Sequence, residues 1–241
     1  MGEKTNIRLQ IVYDNRALNE NFQADWGFSC LVTGLEKSIL FDTGANGKIL
    51  LHNMENLGIS PQNIDVVLLS HDHYDHTGGL ETLAAKNPRV EVWFPHFFSG
   101  PFREKIQAIK TKPVPVEEYQ EICPGAFTTG VISGWINEQS LVLSFSKGFI
   151  LITGCAHPRI TRIMEQVREK TQKNLYAVLG GFHLAGFEKN EILEIIQEFK
   201  NTGVQKAGPC HCSGDEARKF FLQEYGKDFL DLSAGKEVVF P

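Results

Sequence analysis

The sequence predicts an α/β fold assembled from two similar halves, and two observations carry that expectation. Apolar runs of strand length alternate with segments of helical period along the 241 residues, which is the pattern of an α/β architecture. The chain also echoes itself. Ile39-Leu40-Phe41-Asp42-Thr43-Gly44 is answered by Ile150-Leu151-Ile152-Thr153-Gly154, and Asn63-Ile64-Asp65-Val66-Val67-Leu68 by Asn174-Leu175-Tyr176-Ala177-Val178-Leu179. Ile39 and Ile150 are 111 positions apart, as are Asn63 and Asn174, so a strand-turn-strand, helix, strand block is used twice. A single domain over 1–241 is expected, with halves of about 1–115 and 116–241. Equivalent strands then end at one edge, and their loops converge on one cleft.

In chain order, runs rich in apolar and β-branched residues predict strands at Asn6–Tyr13, Phe28–Thr33, Ser38–Phe41, Ile64–Leu69 and Val90–Phe94. Helices are expected at Lys48–Asn56, stopped by Gly58, and at Gly79–Lys86. The passage from Pro113 to Pro124 reads as a break. Beyond it, strands are expected near Phe127–Ile132, Leu141–Ser146, Phe149–Ile152, Leu175–Leu179, Gln205–Ala207 and Glu237–Phe240. Helices fall near Thr161–Lys170, Glu191–Asn201 and Asp215–Tyr225. Thr33-Gly34-Leu35-Glu36 and Ser146-Lys147-Gly148 read as hairpin turns.

Composition narrows the functional classes. With 24 basic against 29 acidic residues and a net charge of −5, broad binding to a nucleic-acid backbone is disfavoured. No window approaches the ~20 uninterrupted apolar residues that span a bilayer, so no membrane association is expected. Five cysteines are an odd number, and Met1 to Val12 carries charges where a signal peptide has an apolar stretch. A cytoplasmic location is the reading.

The chemistry concentrates after the strand Ile64–Leu69, in Ser70-His71-Asp72-His73-Tyr74-Asp75-His76-Thr77-Gly78-Gly79. In an extended stretch His71, His73 and Asp75 face one side, and the turn toward Gly78-Gly79 brings His76 to meet them. Imidazole and carboxylate suit Zn²⁺ and also Fe or Mn, and four such groups exceed what one open catalytic ion needs. Two divalent ions are implied. Asp42-Thr43-Gly44 has the form of an aspartic-protease triplet, but its counterpart Thr153-Gly154 lacks the second carboxylate that this chemistry requires. Asp42 is therefore expected to support a ligand imidazole.

The loop His71-x-His73-x-Asp75-His76, between an apolar strand and Gly-Gly, resembles the signature of the metallo-β-lactamase superfamily. That resemblance spans nearly the whole chain and implies a four-layer αββα sandwich of two similar halves. It implies that His71, His73 and His157 hold one metal, and Asp75, His76 and His211 the other, with Asp75 also catalytic. The aspartate that usually bridges the metals is missing, since Gly180-Gly181-Phe182-His183-Leu184 stands at its place. His183 remains there as ligand, general acid or substrate contact, and is assigned a catalytic role. Cys210 and Cys212 flank His211 and are expected to point to the opposite face; together with Cys155 they are placed outside the ligand set. Pro95-His96 repeats the strand-end grammar of Pro209-Cys210-His211, so His96 is expected to open on the cleft.

A narrower likeness rests on Tyr13-Asp14-Asn15, Trp26-Gly27-Phe28-Ser29, Gly154-Cys155-Ala156-His157-Pro158, Gly180-Gly181-Phe182-His183-Leu184 and Pro209-Cys210-His211-Cys212-Ser213-Gly214. These resemble the group named for 7,8-dihydropterin-6-methyl-4-(β-D-ribofuranosyl)aminobenzene 5′-phosphate synthase, which also lacks the bridging aspartate. Asn15 joins Asp42 and His96 in supporting or substrate-contacting roles. The function expected is a metal-dependent hydrolase with a dinuclear zinc centre, iron or manganese being alternatives. Metal-bound hydroxide, formed because the ion lowers the pKa of water to about 7, attacks a small anionic ester, phosphoester or lactone. One alternative is a synthase that joins a dihydropterin to an aminobenzene ribofuranoside phosphate, and another is a di-iron redox protein.

Overall fold

Alternation of side chains along short apolar strands builds the layers. The computed structural model describes residues 6–109 and 111–241; Met1 to Thr5, part of the segment read as lacking a signal peptide, lies outside them. Strands β1 (Ile7–Tyr13), β2 (Ser29–Thr33), β3 (Ile39–Phe41), β4 (Val66–Leu68), β5 (Glu91–Pro95) and β6 (Lys112–Val116) form one sheet. The second sheet contains β7 (Gln120–Cys123), β8 (Ala126–Thr128), β9 (Leu141–Phe145), β10 (Gly148–Thr153), β11 (Leu175–Gly181) and β12 (Lys206–Cys210). The last strand, β13 (Glu237–Phe240), returns to the first sheet and pairs with β1, Ile7 opposite Phe240.

Ile39, Phe41, Val66 and Leu68 meet Ile150, Ile152, Ala177 and Leu179 in an apolar layer between the sheets. Their alternate neighbours face outward. Leu40 and Val67 pack with Leu50, Met54, Leu80 and Leu83, from helices α1 (Gly47–Asn56) and α3 (Leu80–Lys86); the four-residue α2 (Tyr74–Thr77) lies between these two in the chain and α4 (Gly100–Ala108) after them. On the other side Leu151 and Val178 pack with Ile163, Ile196 and Phe221, from α5 (Ile160–Thr171), α6 (Lys189–Asn201) and α7 (Gly214–Tyr225). Helix, sheet, sheet and helix are thus stacked in four layers, with period-2 strands buried on both faces.

The pairing repeats with the sequence. In β3 and β4, Ile39 is opposite Val66 and Phe41 opposite Leu68; in β10 and β11, Ile150 is opposite Ala177 and Ile152 opposite Leu179. These are the residues 111 positions on. Because β3, β4 and β5 are parallel, as are β10, β11 and β12, the loops after each set leave one edge of its sheet.

Two differences from the sequence reading have physical causes. The break expected from Pro113 to Pro124 contains β6 and β7, and α4, capped by the Ser99 hydroxyl accepting from the Phe102 amide, was not expected. Pro113 and Pro115 are tolerated because β6 is the edge strand, where a missing N–H breaks no ladder. The strand expected at Phe127–Ile132 is only β8, since Gly130 adopts a left-handed φ of 69°. No helix among the described residues is long and apolar enough to cross a membrane.

Candidate metal centre

The loop after β4 bends at His71 and Asp72, is extended at His73 and then winds into α2 at Tyr74. This divides the signature. His71 and His73 stay together, their ring centroids 4.6 Å apart, and meet His157 from the loop after β10 at 4.7 and 5.1 Å. Asp75 and His76, carried round by the helical turn, instead meet His211 from the loop after β12. The donor atoms of His71, His73 and His157 lie within 4.8 Å of one another, and so do those of Asp75, His76 and His211. The expectation that Asp75 shares a face with His71 and His73 gives way to this turn.

Behind the rings lies a set of acceptors. Asp42, fully buried, accepts from the Ser70 amide and hydroxyl and from His76 Nδ1, each at 2.7 Å. The Ser70 hydroxyl in turn lies 2.8 Å from His71 Nδ1, so one carboxylate orients a ring of each triad. Glu138 accepts from the Ala156 and His157 amides at 2.8 and 3.1 Å and from His157 Nδ1 at 2.9 Å. Asn15 Oδ1 accepts from His211 Nδ1 at 3.0 Å, and Asp14 from the His211 amide at 2.9 Å. Burial raises the Asp14 carboxyl to about 6, against the opposing charges of Arg218 and His211. With Nδ1 engaged, Nε2 is the free donor. The Nε2 atoms of His71 and His211 are buried without a hydrogen-bond partner, and a buried polar atom left unpaired is costly unless something fills the space before it. Burial and the neighbouring imidazoles hold His71 well below the usual histidine range, so its ring is a neutral donor. Such orphaned imidazole nitrogens beside one carboxylate fit a pair of divalent ions.

Four of the loops at this edge carry a non-glycine residue in left-handed conformation: Asp42, Ala156, His183 and His211, with φ between 48° and 61°. Such conformations are stored strain, and they persist where surroundings over-determine them. At His211 the consequence is visible. The chain passes into a 3₁₀ turn over His211–Ser213, which swings Cys212 toward the centre. Its sulfur and those of Cys155 and His211's ring donor lie within 4.8 Å of one another, so the extended-backbone expectation for Cys212 is wrong. Cys210 does turn away, into the layer between the sheets. Cys155, buried, has its sulfur 3.2 Å from His76 Nε2.

His183 lies near the centre, its ring tilted against those of His157 at 4.7 Å and Trp135 at 5.7 Å. A hydrogen bond to Cys212 raises its pKa in spite of burial. It lines both the cleft over the triads and an adjoining cavity of about 450 Å³ walled by Trp135, Phe182, Phe187, Arg159 and a row of glutamates on α6. Trp26 and Trp135, 48% and 70% exposed, flank the cleft, Trp26 tilted against His211 and Trp135 edge-on to His157. His96 is a correction. It is exposed, and its amide and Nδ1 both engage the Val116 carbonyl, at 2.8 and 3.3 Å. In the first sheet β6 lies beyond β5 and captures this residue, whereas β12 is the edge of its own sheet and leaves His211 free to meet Asn15.

Glu138 and Asp14 were not singled out in the sequence. Asp14 lay within a noted motif; Glu138 has no local pattern around it. Replacing Glu138 by glutamine leaves one oxygen for three donors and sets an amide N–H₂ against at least one of them. Competition with a chelator is expected to show metal bound about 10–100-fold more weakly, and unchanged affinity would refute the role given to Glu138.

A family model described as a β-lactamase superfamily domain matches residues 37–134. Across 100% of this chain and 99% of the relative, the sequence is 29% identical to the 7,8-dihydropterin-6-methyl-4-(β-D-ribofuranosyl)-aminobenzene-5′-phosphate synthase of Methanocaldococcus jannaschii. A solved structure described as a metal-dependent hydrolase of the β-lactamase superfamily is similar with a TM-score of 0.82 at 29% identity, covering 96% of this chain and 98% of that one. The metallo-β-lactamase fold protein YhfI of Bacillus subtilis shares the fold, with a TM-score of 0.72 at 13% identity over 96% and 99% of the two chains.

Proposed function

We propose that this chain is a metallo-β-lactamase superfamily member and a cytoplasmic hydrolase that holds two divalent ions, zinc first among them. The first would be held by His71, His73 and His157, the second by Asp75, His76 and His211. The observation that carries this reading is the pair of donor triads, each with a buried Nε2 that has no partner. Likeness to a metal-dependent hydrolase over nearly the full length supports it, and the free cysteines suit a reducing compartment. Bound by these donors, divalent ions supply Lewis acidity, acidifying water and polarising a carbonyl or phosphoryl oxygen.

The chain's own residues do the rest. Asp42, Ser70, Glu138 and Asn15 fix ring orientations, so little reorganises during reaction. Asp75 takes the proton of the attacking water, and His183 gives one to the leaving oxygen, leaving an acid and an alcohol. The adjoining cavity carries Glu191, Glu194 and Glu198 against Arg159. A substrate's anionic group therefore belongs at the triads, and its uncharged or aromatic part in the cavity. His183→Ala is expected to lower turnover about 10²-fold with metal content unchanged; full turnover, or loss of metal, would remove it from this role.

A second reading is a synthase that joins a dihydropterin to an aminobenzene ribofuranoside phosphate. The end-to-end relative bearing a synthase name favours it, as do Trp26 and Trp135, which offer faces to planar rings. Elemental analysis of protein purified without added metal tests the common premise, and a protein free of metal sinks both readings. Product analysis then separates them. Phosphoesters and lactones releasing an alcohol support the hydrolase; a coupled product from a dihydropterin diphosphate and the aminobenzene riboside supports the synthase.

A further inference from the structure

The two proposed triads contain five imidazoles, which bind a metal only in their neutral form, and one carboxylate. Two dications would thus meet a single negative charge in a buried site, where unbalanced charge is costly. No side chain has room at the end of β11. A Cβ on Gly181 would lie 2.2 Å from the Gly154 carbonyl oxygen and 2.7 Å from Cys212 Sγ. What fills the space between the triads is sulfur.

Cys155 Sγ lies within 4.8 Å of the donor atoms of His71 and His76, of His157 and His183, and of His211 and Cys212. Its neighbours therefore include two members of the first triad and two of the second. It approaches His76 Nε2 to 3.2 Å, and His71 and His211, whose Nε2 atoms lack a hydrogen bond, each place a donor atom within 4.8 Å of it. Its position is fixed by the backbone: Ala156 adopts a φ of 61°, and Glu138 holds the next two amides, so Cys155 and His157 are presented toward the same centre. Cys212 Sγ, 3.6 Å from the Cys155 carbonyl oxygen, is grouped only with Cys155 and His211.

Resting on the dinuclear reading above, we infer that the Cys155 thiolate is the ligand shared by both ions, standing where other members of this superfamily place a bridging aspartate. A coordinating thiol gives up its proton outright, so Cys155 supplies the second negative charge. Sulfur also favours zinc or iron over magnesium or manganese.

The test is titration of the metal-stripped, reduced protein with Co(II), followed by the near-ultraviolet sulfur-to-cobalt charge-transfer band. Uptake of two equivalents is expected, with the band growing through both. Cys155→Ser should abolish the band, and Cys212→Ser should keep it. If Cys155→Ser does not fold, Cys212→Ser still decides, because a band surviving there leaves Cys155 as its source within the cluster. Two cobalt ions bound without the band, a band that saturates at the first equivalent, or one lost in Cys212→Ser would overturn the inference and leave the dinuclear reading intact. No uptake of cobalt would overturn both.

Discussion

Replacing Asp42 by alanine is expected to remove metal binding and about 3 kcal/mol of stability together, because it strands two or more buried donors at roughly 1–3 kcal/mol each. Asp42 accepts from the Ser70 amide and hydroxyl and from His76 Nδ1 without exposure to solvent. No water reaches the vacated positions to replace it. Alanine would also have to hold the left-handed φ of 57° found at this residue, which an asparagine tolerates better. Asp42→Asn separates the two effects. It keeps the backbone conformation and one carbonyl oxygen, but cannot accept at once from Ser70 N and His76 Nδ1. Near-normal stability with metal affinity lowered about 10–100-fold is the expected result. Chemical denaturation and chelator competition on both variants check it, and an alanine variant that retains two tightly held ions would overturn the assignment.

Loss of Asp75 should have the largest effect on turnover. Its Oδ2 lies 3.3 Å from His211 Nε2 and 3.6 Å from His76 Nε2. Burial opposes its charge, but the nearby imidazoles of His211 and His76 hold its carboxyl well below the usual range. It is the one carboxylate among the six proposed donors. Asp75→Ala is expected to lower kcat by about 10³-fold, the upper range for removing one preorganised electrostatic partner, and to cut the metal content from two ions to one. A variant with full turnover, or one still holding two ions, would show that Asp75 is not a ligand.

Much of the site was legible because its donors are neighbours in the chain. His71, His73, Asp75 and His76 fall within six residues, and a strand before them with glycines after them fixes where such a loop must lie. His157 and His211 were legible through the superfamily resemblance, each following a strand and preceding a helix where that resemblance implies a ligand. The layers were legible for the same reason: a period-2 strand buried on both faces demands a helix on one side and a second sheet on the other.

What escaped depends on the direction of single side chains and on which strand happens to lie next. His96 and His211 follow the same Pro-containing strand end, yet only one reaches the cleft, because β6 flanks β5 while β12 borders no further strand. Cys212 was read as facing away on an extended backbone, and the left-handed His211 turned it inward. Glu138 shows the limit most plainly. A glutamate in an irregular loop has no periodicity to betray it, and its three hydrogen bonds exist because the loop between β8 and β9 packs beside residues 156 and 157. By itself the sequence determined most of the donors that meet and which strands bring them to one edge, since these follow from local pattern, repeat and resemblance. The tertiary structure alone decided how those residues divide into two triads, what orients each ring, and that a sulfur stands between them, because these depend on contacts between segments that no local pattern relates.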